Sequence, residues 1–158
     1  MSDKFFEDFK QGDEIRTRAV TLGEPEIVEF ARLYDPQPIH IDKAAAERST
    51  FGGVIASGWH VGSITFRLFL EQSPLGENSL GSPGLDEIRW HLPVRPGDTL
   101  SIVITVLEAR PSRSKDDRGS VRLRYETFNQ NRELVMSFIG VQIIKKRPRR
   151  QRSNRRGS

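Results

Sequence analysis

The chain reads as an α+β domain in which short helices and one long helix precede an unbroken series of strands. Two patterns carry this reading. Val61, Ile64, Thr65, Leu68 and Phe69 fall three and four apart, so residues 58–72 form a helix with a single apolar stripe. Downstream, Ile88, Trp90, Leu92 and Val94 alternate with Arg89, His91 and Pro93, and Leu100–Ala109, Val121–Asn129 and Glu133–Ile144 repeat the strand signature. One early strand, then helices, then a four-strand antiparallel series fits a curved antiparallel sheet wrapped around the helix of residues 58–72.

The other elements follow in chain order. Phe5, Phe6 and Phe9 open the chain, and Gly12-Asp13 turns it into a strand over 14–20. Ile27, Phe30, Ala31 and Tyr34 have helical spacing, which predicts a helix over 24–34. Pro25 sits near its start, where a missing N–H costs nothing, and Thr21 or Glu24 is the expected cap. The helix stops at Asp35, because Pro36 pushes the preceding residue out of the helical region. Asp42 caps a short helix over 43–48, which Phe51-Gly52-Gly53 breaks. Ser57 is the expected N-cap of the long helix, its hydroxyl accepting from an amide two or three residues on. That helix ends near Gln72, before Ser73-Pro74. Gly76–Gly84 is a loop rich in Gly, Ser and Pro. Strand Ile88–Val94 is expected to bury the face carrying its apolar residues, and Arg110–Gly119 and Gln130-Asn131 connect the later strands.

Length and composition bound the function. A chain of 158 residues holds one domain with a real core, placed at residues 1–144. The absence of cysteine excludes a disulfide framework and a zinc–cysteine site. The N-terminus lacks an apolar signal region and no run is long enough to span a bilayer, so a soluble cytoplasmic protein is expected. The net charge of +4 comes from the end of the chain. Residues 145–158 carry eight Lys or Arg and no acid, and without them 17 basic residues face 21 acidic ones, a net −4. With nothing apolar to bury, 145–158 reads as a disordered tail. It has the charge to meet nucleic acid or an anionic surface, although it carries no aromatic residue on which a base would stack.

The chemistry is concentrated in Tyr34-Asp35-Pro36-Gln37-Pro38-Ile39-His40-Ile41-Asp42 and Ala56-Ser57-Gly58-Trp59-His60-Val61-Gly62-Ser63. A carboxylate and an imidazole stand five residues apart on a loop stiffened by two prolines. An extended path between them would span about 15 Å at roughly 3 Å per residue, so the loop must curl if they are to act together. Unpaired amides at the helix start attract developing negative charge, and Gly58 lets a ligand approach the backbone closely. These are the parts needed to move protons at a carbonyl compound and hold the resulting oxyanion. His60, in the first turn, and His91, on a strand, are weaker candidates. Asp42 is better read as a cap than as an acid. Three scattered histidines form no obvious metal cluster, and no cofactor loop is present.

This pattern, with Pro93-Val-Arg-Pro-Gly-Asp-Thr-Leu100 downstream, resembles the MaoC-type dehydratases, relatives of (R)-specific 2-enoyl-CoA hydratases with the hot-dog fold. The similarity covers roughly residues 10–144. It implies Asp35 and His40 as the catalytic pair, Gly58 as the oxyanion-hole residue, and Ser63, Ser57 and Gln37 on the substrate side. Gln37 stands where the family commonly has Asn, and Ser57 where it often has His. The implied reaction needs no cofactor: hydration of an enoyl thioester, or its reverse, on CoA or an acyl-carrier protein, in a homodimer. Arg89 and Arg95 are candidates for the CoA phosphates. The residues leave open which of Asp35 and His40 takes the first proton. A hot-dog thioesterase and a non-catalytic thioester-binding protein with a polyanion-binding tail are the alternatives.

Overall fold

A computed structural model describes residues 1–150. Strands β1 (Glu14–Arg16) and β2 (Val20–Thr21) lead into helix α1 (Glu24–Tyr34), the short helices α2 (Pro38–Ile41) and α3 (Lys43–Arg48), and the long helix α4 (Gly58–Gln72). Strands β3 (Leu85–Trp90), β4 (Thr99–Pro111), β5 (Arg118–Phe128) and β6 (Leu134–Lys145) complete the fold. The sheet runs β1-β4-β5-β6-β3, with β2 also paired to β4 and every pairing antiparallel. It is the α+β hot-dog architecture, a long helix held against a wrapped sheet.

The core follows from alternation. Leu100, Ile102, Ile104 and Val106 of β4 and Val121, Leu123, Tyr125 and Thr127 of β5 are all buried. They join Val61, Leu68 and Phe69 of α4, so the helical stripe and the strand faces share one core. Each fully buried large aliphatic or aromatic side chain contributes about 1.5–3 kcal/mol. Tyr125 stacks on Phe138 at 4.5 Å and meets Phe69 edge-on at 5.4 Å. The buried hydroxyls of Thr65 and Thr127 lie 2.6 Å apart and satisfy each other.

Four expectations need correction. The first strand is split: Thr17 Oγ1 accepts the Ile102 amide at 3.0 Å, and this side-chain bond interrupts the ladder between β1 and β2. Helix α1 is capped by neither Thr21 nor Glu24. Gly23 holds the N-cap position and its amide donates to the Glu26 carboxylate, while Thr21 pairs through its hydroxyl with Thr99. Strand β3 stops at Trp90, and of the four residues expected to face inward only Val94 is fully buried. Trp90 and Leu92 are 47% and 41% exposed. β3 is the edge of the sheet, its register shifts between Asp86 and Arg89, and Pro93 has no N–H with which to continue the ladder.

The fourth concerns the chain end. Lys145 closes β6, Lys146 donates its amide to Asp117 O at 2.8 Å, and Arg147 reaches Asp8 at 2.6 Å and covers the Phe5 ring. Three residues assigned to the tail are thus held against the body. Residues 151–158 of the expected tail lie outside the described residues. Among the described residues no helix is long and apolar enough to cross a membrane.

Candidate active site

The loop between Asp35 and His40 curls. Asp35 is the C-cap of α1, the Gln37 amide turns back to Asp35 O at 2.8 Å, and Pro38 starts the single turn of α2. His40 Nε2 thereby reaches Asp35 Oδ2 at 3.2 Å. The other imidazole nitrogen, Nδ1, lies 2.7 Å from Ile55 O. A carbonyl can only accept, so Nδ1 carries the hydrogen and Nε2 is left as the atom that gives and takes a proton. The Ile55 amide returns a bond to Ile39 O at 3.1 Å, and Ala56 is tied to Val94 O at 2.8 Å. Three separate stretches of chain are fastened together around the pair.

Both oxygens of Asp35 are occupied. Gln37 Nε2 donates to Oδ1 and Ser57 Oγ donates to Oδ2, each at 2.7 Å. Partial burial raises the carboxyl pKa. The hydrogen bonds from Ser57 and Gln37, and the charge and hydrogen bond of His40, outweigh burial and hold Asp35 below its ordinary value. Ser57 occupies the N-cap position of α4 but makes no capping bond, which corrects its expected role. Its fully buried hydroxyl donates to Asp35, 22 residues earlier, instead of accepting from its own helix. Gly58 is the first residue of α4, so its amide has no carbonyl one turn back, and among the described residues no other acceptor meets it.

Asp35, Gln37, His40 and Gly58 line one cavity of about 440 Å³. Its apolar walls include Trp59 and Trp90, the only two tryptophans of the chain. The space that glycine leaves at position 58 is occupied: a Cβ there would lie 2.4 Å from the Trp90 indole. Trp90 in turn meets Trp59 edge-on, with ring centroids 5.4 Å apart. Sequence reasoning did not assign this pair to the site. The signal for it was the position of both tryptophans, one inside the Gly58 motif and the other next to His91.

The remaining candidates scatter. Ser63 is not in this cavity; its hydroxyl donates to Trp59 O at 2.8 Å, and it lines a larger groove that Trp59 also lines. His91 does line the cavity, with Nε2 2.7 Å from Ser137 Oγ. His60 is buried, stacked on Phe30 at 4.4 Å, and burial lowers its pKa. Asp42 caps α3 through Ala45, as expected. Arg89 and Arg95 line neither space; Arg89 bonds the Ile88 carbonyl. Among the described residues no group of three or more His, Asp or Glu is placed to hold a metal ion.

The fold thus sets an aspartate and a histidine 3.2 Å apart in one cavity with the first residue of its central helix. The family described as MaoC like domain matches residues 8–129, and the chain belongs to it. Its likeness extends to whole proteins. The MaoC-like dehydratase of Rhodospirillum rubrum is 38% identical, over 92% of this chain and 99% of that one, with a TM-score of 0.84. Protein YdeM of Bacillus subtilis is 29% identical over 89% of this chain and 98% of its own. The (R)-hydratase of A. caviae involved in PHA biosynthesis is 26% identical over 89% of this chain and 98% of that one, with a TM-score of 0.70.

Proposed function

We propose that the protein is an enoyl-thioester hydratase, acting in reverse as a 3-hydroxyacyl-thioester dehydratase on an acyl-CoA or acyl-carrier substrate. The observation that carries this reading is the meeting, in one cavity, of the Asp35–His40 pair and the unpartnered Gly58 amide. With Nδ1–H committed to Ile55, a neutral His40 turns a lone pair toward the Asp35 carboxylate. Two acceptors 3.2 Å apart favour a shared proton or a donor water beside them. Such a water is the nucleophile of the reaction. Its oxygen bonds to C3 of the enoyl chain while one of its protons passes to the pair. The C2=C3 electrons move toward the thioester carbonyl, and the resulting enolate oxygen is held by the Gly58 amide. A proton from the pair then closes C2, so that one water is added and the pair is restored.

Acid–base assistance of this kind is worth about 10²–10⁴-fold and an oxyanion donor about 10²–10³-fold, and neither calls for a cofactor. The names of the similar dehydratase and (R)-hydratase support the same reaction class. The test is to follow the enoyl absorbance of short enoyl-CoAs together with free thiol. Loss of absorbance without thiol release is the expected result. Thiol release would mean hydrolysis at the carbonyl carbon, and no signal with any acyl-CoA would mean binding without catalysis; either overturns the proposal.

A further inference from the structure

Two spaces meet at the start of α4. The catalytic cavity of about 440 Å³ is one, and an apolar groove of about 820 Å³ between α4, β3 and β6 is the other. They are neighbours along α4, β3 and the start of β6. Val61, Trp90 and Val135 line the first, whereas Gly62, Ile88 and Met136 line the second. Trp59 alone among the described residues lines both. Its carbonyl is anchored by Ser63, its ring meets Trp90 edge-on, and Trp90 is seated on the bare backbone of Gly58.

We propose that Trp59 is the partition that sets acyl-chain length, confining the catalytic cavity to short acyl groups, and that the groove beyond it is the room a longer chain enters once the indole is removed. This rests on the hydratase reading above. The groove fits an acyl chain and little else that the chemistry would bring there. Phe66, Leu70, Leu85, Ile88, Met136 and Phe138 make it apolar, it begins where the catalytic cavity ends, and the thioester head would be fixed at Gly58. Charged side chains enter only as Arg67 and Glu71, which are paired with each other at 3.0 Å. Each methylene that such a groove removes from water is worth about fourfold in affinity.

The experiment uses the full chain, with Trp59→Ala and Trp59→Leu variants checked for folding by circular dichroism. Hydration of 2-butenoyl-, 2-hexenoyl-, 2-octenoyl- and 2-decenoyl-CoA gives a kcat/KM series for each. The expected result is a wild-type preference for butenoyl over octenoyl of about tenfold or more, and a rise of about tenfold or more in the octenoyl-to-butenoyl ratio on Trp59→Ala, with Trp59→Leu between. Calorimetric binding of butyryl- and octanoyl-CoA, neither of which can be hydrated, is measured in parallel. If wild type hydrates nothing, the hydratase reading falls, while relative tightening of octanoyl-CoA binding in the variants still supports the partition. An unchanged ratio in folded variants overturns it, as does a wild type that already favours octenoyl-CoA. A change of oligomeric state in Trp59→Ala without any change in ratio also overturns it and assigns the groove to a second copy of the chain.

Discussion

Asp35→Asn separates proton transfer from architecture, because an amide can inherit every contact that the carboxylate makes. The substituted side chain would present its carbonyl oxygen to Gln37 Nε2 and its amide nitrogen to Ser57 and His40. The Ser57 hydroxyl would turn from donor to acceptor, and His40 Nε2 would accept in its neutral form, with Nδ1–H still on Ile55 O. What disappears is a base able to hold a proton. The expected loss is about 10²–10⁴-fold, or about 2.7–5.4 kcal/mol of barrier, and it falls on kcat because in the proposed reaction Asp35 serves the reacting water and not uniform substrate binding. The assay is the decline of enoyl absorbance under saturating and limiting substrate, on protein whose circular dichroism matches wild type. A folded Asp35→Asn within a few-fold of wild-type kcat would refute the mechanism.

Stability gives the same substitution a second readout. Asp35 is held below its ordinary carboxyl pKa by hydrogen bonds to its ionised form. That contribution is complete above the unfolded carboxylate range and is lost as pH falls through the depressed folded value. Exchanging charge-assisted for neutral hydrogen bonds costs about 1 kcal/mol, or about 2–4 °C for a chain of this size. Wild type is expected to melt above Asp35→Asn at neutral pH, with the gap closing in strong acid.

Ser57→Ala removes one donor from Asp35 Oδ2, so the acidic limb of the kcat/KM profile is expected to move to higher pH, and an unmoved limb would separate Ser57 from the chemistry. Gly58→Ala drives a methyl into the Trp90 indole; its loss of activity is expected to be relieved in a Trp90→Ala background, and additive losses would exclude that clash as the cause. A homodimer of about twice the chain mass is expected by light scattering, since β3 leaves an unpaired edge carrying exposed Leu85 and Trp90; a monomer at micromolar concentration would contradict this. Truncation after Arg147 spares the contacts to Asp8, Glu7 and Phe5 and removes five arginines. It is expected to leave hydration within a few-fold while weakening salt-sensitive binding to polyanions, and a collapse of catalysis in stable protein would show that the tail reaches the substrate.

The reach of sequence reasoning here tracks the range of the forces involved. Pro36 acts on its own neighbours, so the end of α1 and the stiffened loop are readable locally, but the turn Pro38–Ile41 that brings His40 to Asp35 shows in the sequence only as a loop that must curl. The apolar stripe of α4 and the alternation of β4 to β6 are repeated signals and survive single exceptions. The α1 cap departs locally, with Gly23 bonded to Glu26, but most of the other departures are long-range. A serine at a helix start is expected to cap its own helix, yet Ser57 bonds a carboxylate on another element. Thr17 looks like an ordinary strand residue until its hydroxyl takes the Ile102 amide. Alternation marks Trp90 and Leu92 as apolar but cannot supply a partner for an edge strand. Lys145–Arg147 carry no apolar side chain, and the pairing of Lys145 with Arg118, the Asp117 carbonyl, and the acids and Phe5 near the N-terminus make them part of the fold.

The same distinction explains why the pair is held so firmly although it stands on a loop. His40 is fixed at Nδ1 by Ile55, Ile55 is fixed to Ile39, and Ala56 is fixed to Val94 beyond the end of β3. The residue after Ala56 is Ser57, which reaches back to Asp35, and the next is Gly58, whose amide is the oxyanion donor of the proposed reaction. Four consecutive residues, 55 to 58, therefore set the imidazole tautomer, anchor the loop, orient the carboxylate and open the helix. In the proposed reaction a displacement of this segment would misplace acid, base and oxyanion donor together, so backbone placement here would bear on catalysis as much as the identity of the two side chains does. The outer wall is built differently. The rings of Trp59 and Trp90 are exposed and held by ring contacts, so on the proposed reading substrate range would change there while the Asp35–His40 geometry stays in place.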